Sequence, residues 1–230
     1  MHKIILFSTV LLMGFGFNSS SIKINHNKIS TPPGKEYGSE YFPMDKDLVL
    51  YYDSNFGEAK SFIKNDGETL ILDMRSDDFF FIQDIIIKND SIYITRLEEE
   101  VDILFFFSAG LEVTYNEPAL RFPFPMKAGQ TWKWEGIEYV EDEEPDSIII
   151  TGELLGEEIV STEAGEFNCI KIQTDIDKKS GIHTRFYEWR TPKIGLVKAE
   201  AQMDTEGFIG IIIDLLGYDS MYFNLIKVGV

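Results

Sequence analysis

The sequence predicts an all-β fold of antiparallel strands, arranged as a sandwich, a barrel or a large curved sheet. Three observations predict it. Turn signals recur every ~8–12 residues. Between them lie short runs that alternate apolar and polar residues, or that are rich in β-branched and aromatic types. No window of real length carries the i, i+3, i+4, i+7 stripe of an amphipathic helix. The strand–helix rhythm of parallel sheets is absent too, which disfavours dinucleotide-binding and (β/α)8 enzyme folds.

The elements follow in order. Residues 48–52 are apolar, aromatic and β-rich. Asn55-Phe56-Gly57 turns the chain and 59–64 runs back. Asn65-Asp66-Gly67 is a hairpin signal, because Asp-Gly tolerates the positive φ angles of tight turns. Residues 68–74 alternate, Ser76-Asp77-Asp78 breaks the run, and 79–88 is a long apolar strand. Asn89-Asp90 turns the chain into 91–97. Glu98-Glu99-Glu100 reads as an acidic turn before 101–107, the most apolar strand. Ser108-Ala109-Gly110 and the strand 111–115 lead to the central stretch 120–134. There Pro123 and Pro125 fix an extended backbone, Lys127-Ala128-Gly129-Gln130 turns, and Trp132 and Trp134 open a new strand to Val140. Glu141 to Asp146 is an acidic loop. Strands follow at 147–155, 157–162, 167–176, 182–190, 196–203, 208–216 and 220–228.

The N-terminus carries the clearest functional signal. Met1-His2-Lys3 is a positive head, residues 4–17 are apolar except for Ser8 and Thr9, and Asn18 to Ser21 is a small polar tail. That is the layout of a secretory signal peptide. An apolar run of about 14 residues is short of the roughly 20 that a membrane span needs. We expect residues 1–20 to be the signal, 21–39 a loose leader ending in Pro32-Pro33-Gly34, and 40–230 a single antiparallel β domain. The product is then periplasmic or extracellular, with no integral membrane span after cleavage. Its one cysteine, Cys169, lies too far from the signal to carry a lipid anchor and has no partner for an intramolecular disulfide. An exported chain without disulfides leans towards a bacterial source.

Composition excludes more than it selects. The net charge is −18, from 39 acidic and 21 basic residues. Such a surface repels nucleic acid and anionic membranes. No glycine-rich phosphate loop or basic patch is present. Histidine offers little: His2 leaves with the signal, His26 lies in the leader, and His183 starts a strand. No set of Cys, His and carboxylates has zinc spacing, and no G-x-S-x-G elbow accompanies His183. Cys169 lies inside a strand and reads as a small buried hydrophobe. The acidic clusters at 73–78, 98–102 and 141–146 lack the calcium-loop pattern and read as solvated turns, the 141–146 loop being the one with any claim on calcium. We therefore assign no catalytic residue, no metal ligand and no cofactor.

Aromatic residues make up 13% of the chain. Phe79-Phe80-Phe81 and Phe105-Phe106-Phe107 place rings on both faces of their strands. Two-sided burial in a closed barrel, a sheet on a sheet, or a sheet around a ligand would explain them. The candidate ligand-binding residues are Phe105, Phe107, Trp132, Trp134 and Trp189.

Three motifs resemble one family. They are Leu-Arg-Phe-Pro-Phe-Pro-Met-Lys-Ala-Gly-Gln-Thr-Trp at 120–132, Val-Ser-Thr-Glu-Ala-Gly-Glu-Phe-Asn-Cys-Ile-Lys-Ile at 160–172, and Tyr-Glu-Trp-Arg-Thr-Pro-Lys-Ile-Gly-Leu-Val-Lys at 187–198. In this order they are similar to the DUF3108-like exported proteins of bacteria, over roughly residues 118–200. Thr191 stands where such proteins often have a small residue. The resemblance implies a large curved antiparallel sheet or a partly open β-barrel, related to lipoprotein-carrier (LolA/LolB-like) folds. It brings no catalytic residues with it.

The sequence thus predicts an exported, non-enzymatic β protein that binds a hydrophobic small molecule or an envelope protein on its concave sheet face. The alternatives are a hydrolase or binding protein for envelope carbohydrate, with carboxylates near Trp132 and Trp134, and a structural subunit of a surface assembly.

Overall fold

A computed structural model describes residues 27–29, 34–104, 107–141, 143–205 and 220–229. The expected signal peptide, residues 1–20, lies outside them. Among the described residues the strands are β1 (Asn27–Ile29), β2 (Glu36–Tyr37), β3 (Val49–Ser54), β4 (Gly57–Asp66), β5 (Thr69–Arg75), β6 (Phe79–Lys88), β7 (Ser91–Leu104), β8 (Phe107–Pro123), β9 (Met126–Lys127), β10 (Thr131–Val140), β11 (Asp146–Thr162), β12 (Gly165–Lys178), β13 (Ile182–Thr191), β14 (Gly195–Thr205) and β15 (Ser220–Gly229). A 3-10 turn spans Ser39–Tyr41.

The fold is all-β, and the sheet curls until it closes. The order β11-β10-β8-β7-β6-β5-β4-β3-β15-β14-β13-β12 returns to β11, a closed antiparallel barrel of 12 strands. β11 carries the closure. It pairs with β12 along its length, with β10 through residues 146–153, and with β1 through 157–159. The bulge between Leu154 and Gly156 lets one long strand serve these neighbours, and Gly156 adopts φ 133° there. The gap expected at Gly156 between two strands is therefore a bend within one.

Hairpins formed where turn chemistry placed them. Asn89 and Asp90 both take positive φ, at 50° and 60°, as a two-residue hairpin loop requires. The expected acidic turn at Glu98-Glu99-Glu100 is instead part of β7. Its partners are the apolar residues Ile82, Phe81 and Phe80 of β6, and pairing outweighs the weak strand preference of glutamate.

Alternation sets the two faces. The outer face is polar, with Lys64 and Arg75 each 2.6 Å from Asp73, and Arg96 joined to Asp84, Glu98 and Glu112. The inner face is mainly apolar. Among the described residues no helix is long and apolar enough to cross a membrane.

A barrel of 12 strands is too wide for its own side chains to fill. One end is plugged by the segment before β3. Tyr37, Tyr41 and Phe42 pack with Ile85, Ile92, Phe122, Phe124, Met126, Trp132 and Leu154. The rings of Phe42 and Phe122 lie 5.5 Å apart. β2 pairs with β9, and the Lys193 amide donates to Glu40 O at 2.9 Å. So Glu36 and Tyr37, in the segment expected to be a loose leader, belong to this plug, while residues 21–26 and 30–33 lie outside the described residues. The other end holds the turns after β3, β5, β10 and β12, as up-and-down order requires.

Candidate functional site

The half of the barrel away from the plug is hollow. The empty space amounts to about 1060 Å³, part of it open to solvent. The walls are mainly apolar: Phe79 and Phe81 from β6, Leu97 from β7, Ile176 from β12, Phe186 from β13 and Phe223 from β15. Each reaches inward because strand alternation puts it on the concave face. Phe79 and Phe81 stack with centroids 6.4 Å apart, and Phe79 stacks on Phe56 at 5.0 Å.

The floor of this cavity is charged. Arg121 of β8 and Glu188 and Arg190 of β13 all line it. Arg121 Nη2 donates to Glu188 Oε2 at 2.7 Å, and Arg190 Nη2 donates to Glu188 Oε1 at 2.8 Å. Beneath lie the rings of the plug. The Arg190 guanidinium carbon is 4.3 Å from the centroid of Phe42 and 5.2 Å from that of Phe122, and the Arg121 guanidinium carbon is 4.8 Å from Phe122. Such placement over a ring face favours a cation. Burial alone would raise the Glu188 carboxyl, but Arg121 and Arg190 beside it hold it below the ordinary carboxylate range. Burial pulls Arg121 down from its ordinary value, opposed by Glu188. The Tyr115 hydroxyl, also on the wall, is raised by burial and then by Glu138 and Glu99.

The structure disperses the candidate ligand-binding residues. Phe105 lies outside the described residues, and so does the side chain of Phe107. Trp132 belongs to the plug. Trp134 packs with Ala119, Ile148 and Ile150, edge-on to Tyr115 at 5.5 Å. A side chain added at Gly152 would meet Trp132 at 2.1 Å, and one at Gly136 would meet Trp134 at 2.2 Å. Both indoles therefore lie close against glycine backbone. Trp189 points from β13 to the opposite face, donates to Glu158 Oε2 at 2.7 Å and packs with Val160, Cys169 and Val197. Of the three tryptophans, none lines the cavity.

Sequence reasoning missed the Arg121–Glu188–Arg190 cluster. The available signal was charge on the inward register of strands whose neighbouring inward residues are apolar. Glu99 gave the same signal inside the supposed acidic turn.

The other reactive residues are plainly held. Cys169 is buried, and burial followed by Glu158 pushes its thiol up to about 12. His183 is 2.7 Å from Asp177 Oδ1 at a hairpin edge. Asp146 accepts from the Ser147 and Ser180 amides, which ties the acidic loop to the β12–β13 turn. Among the described residues no three His, Cys, Asp or Glu side chains converge so as to hold a metal.

Residues 104–208 match the family described as DUF3108-like. No curated protein matches the sequence. A chain from Parabacteroides distasonis ATCC 8503, described as a candidate lipoprotein, is similar in structure at 13% identity, with a TM-score of 0.43, covering 82% of this chain and 97% of its own. A chain from Bacteroides fragilis NCTC 9343, described as a candidate exported protein with a YmcC-like fold, is 14% identical with a TM-score of 0.30, covering 82% of this chain and 98% of its own.

Proposed function

We propose that this chain, which matches the DUF3108-like family over residues 104–208, is an exported, non-enzymatic barrel that takes up a hydrophobic small molecule. One observation carries the reading: a largely apolar cavity inside a closed barrel whose opposite end is plugged. Sites for small molecules are concave, mainly apolar and supplied with a few convergent polar groups. Phe79, Phe81, Phe186 and Phe223 supply the apolar wall, and Arg121, Glu188 and Arg190 the polar groups. Trp134 packs beside the wall, edge-on to Tyr115. The signal-like N-terminus supports export, and the charged outer face supports an aqueous setting.

The hydrolase alternative has little to work with. It needs two carboxylates of divergent pKa, free to act as acid and base. Glu188 has both oxygens engaged by guanidinium groups.

The test is native mass spectrometry of the chain recovered from an exporting bacterial host, followed by organic extraction. We expect a stoichiometric apolar molecule, or uptake of an added one such as N-phenyl-1-naphthylamine. An empty mass together with no uptake would overturn the reading.

A further inference from the structure

The cavity floor holds two cations and one anion. Glu188 spends one oxygen on each guanidinium, so among the described residues these ion pairs leave the floor with one positive charge in excess. Arg190 is only 6% exposed, and among the described residues its Nε–H is buried without a hydrogen-bond acceptor. A guanidinium carries five N–H donors. Leaving one buried and unmet is costly, and more so when the group is charged. The rings of Phe42 and Phe122 meet the flat face of Arg190, but they do not accept in-plane hydrogen bonds from its edge.

Among the described residues Glu99 is the other carboxylate that lines this space. It stands well above the floor. On β7 it is six residues beyond Tyr93, which pairs with Leu120 beside Arg121. With one residue absorbed by the bulge, that is roughly 17 Å along the strand at about 3.3 Å per residue. Tyr115 lies between them, influenced by both Glu99 and Arg121. The positive excess is therefore local to the floor, and the aromatic wall rises from it.

We propose that the floor receives the head of an amphipathic ligand: a single carboxylate on an aliphatic chain. This rests on the cavity reading above and gives it a ligand class. The carboxylate accepts from those guanidinium hydrogens of Arg121 and Arg190 that are not used by Glu188 and border the cavity. The chain runs up the wall past Phe79, Phe81 and Phe223. One negative charge balances the one positive excess. A phosphate monoester brings −1.5 to −2 near neutral pH and over-compensates it.

The probe is displacement of N-phenyl-1-naphthylamine from the chain recovered from an exporting host. The competitors are dodecanoate, 1-dodecanol and dodecyl phosphate. We expect dodecanoate to displace at concentrations at least tenfold lower than the alcohol, and lower than the phosphate. Arg190→Gln is expected to bring acid and alcohol within about twofold of each other. Should that variant fail to fold, the ratio in the unaltered chain decides alone, and Arg121→Gln supplies the second variant. Equal displacement by acid and alcohol overturns the carboxylate head while leaving the apolar cavity standing. A phosphate that outcompetes the carboxylate overturns the head-group assignment. No uptake of the naphthylamine probe overturns the cavity reading itself.

Discussion

Trp132 lies against the backbone of Gly152, directly opposite it in the β10–β11 ladder. The relationship is exclusive: a Cβ at 152 would fall 2.1 Å from Trp132 Cε2. Trp132 is buried in the plug, where its ring is 6.4 Å from that of Phe122, so it has little room to retreat. Gly152→Ala is expected to lower stability by about 1–3 kcal/mol, the usual cost of overpacking a core. Urea denaturation of the variant against the parent measures it. An unchanged midpoint would show that the plug yields more easily than its packing implies.

How much of this was legible depends on the kind of signal. Turn chemistry is local, so Asn65-Asp66-Gly67 and Asn89-Asp90 announced their hairpins without help from the rest of the chain. Glu98-Glu99-Glu100 did not announce a strand, because its strand character comes from pairing with Phe80, Phe81 and Ile82, distant in sequence. Closure was equally hidden. It rests on β11 having a neighbour on each side, and a run of alternating residues cannot say how many neighbours it will have. Of the aromatic run at 79–81, Phe79 and Phe81 line the cavity while Phe80 lies half-buried on the other face beside Arg75; the side chains of the run at 105–107 lie outside the described residues. Trp132, Trp134 and Trp189 pack in clusters and do not line the cavity; a large ring serves either end, and sequence alone does not tell the two apart. The charged floor was invisible because Arg121 and Glu188 lie 67 positions apart, and only the curvature brings them together.

Glu188 is the keystone of that floor. Glu188→Gln leaves Arg121 and Arg190 buried without their anion, and breaking such a group from one side typically costs about 3–5 kcal/mol. We expect a loss of that order by chemical denaturation. A loss below 1 kcal/mol would mean that the rings of Phe42 and Phe122 already satisfy both guanidinium groups.

Acid stability follows from the same contacts. Glu188, Asp73 and Asp175 are all held below their ordinary values of 4.5, 3.8 and 3.8 by the basic groups that pair with them. In each case the folded chain releases its proton more readily than the unfolded one. Their stabilisation is complete above the ordinary carboxylate range and is lost as pH falls through and below it. Glu138, raised by burial against the pull of Lys178, has the opposite sign and blunts the fall. Denaturation midpoints should stay level from neutral pH to about 5 and drop below about 4. Glu188→Gln should make that acid limb shallower; an acid limb as steep as the parent's would remove Glu188 from the explanation.

Cys169 should be inert in the folded chain. It is 1% exposed, and its thiol is pushed up to about 12, so almost none is thiolate at pH 8. Alkylation by iodoacetamide at that pH is expected only after denaturant is added. Rapid labelling of the native protein would place the thiol at the surface and contradict the packing of β12.

Among the described residues the shortest ladder between neighbouring barrel strands joins β8 and β10. Only Tyr115, Thr114 and Val113 of β8 pair with Glu138, Tyr139 and Val140 of β10, whereas β11 and β12 pair from Ile148↔Lys178 to Thr162↔Gly165. Beyond the seam the edge of β10 is met by a side chain: Asn116 Oδ1 accepts from the Ile137 amide at 2.7 Å. Asn116 thus extends the seam where the backbone of β8 turns away. Asn116→Ala removes one net hydrogen bond at an exposed site, worth about 1 kcal/mol. Its sharper effect should be local. Structures open first where few backbone bonds must break, so amide exchange at Ile137 and Tyr139 should accelerate several-fold in the variant while that of β12 stays as in the parent. Equal acceleration across β10 and β12 would mean that the barrel opens as one unit. In that case the β8–β10 seam is not its gate.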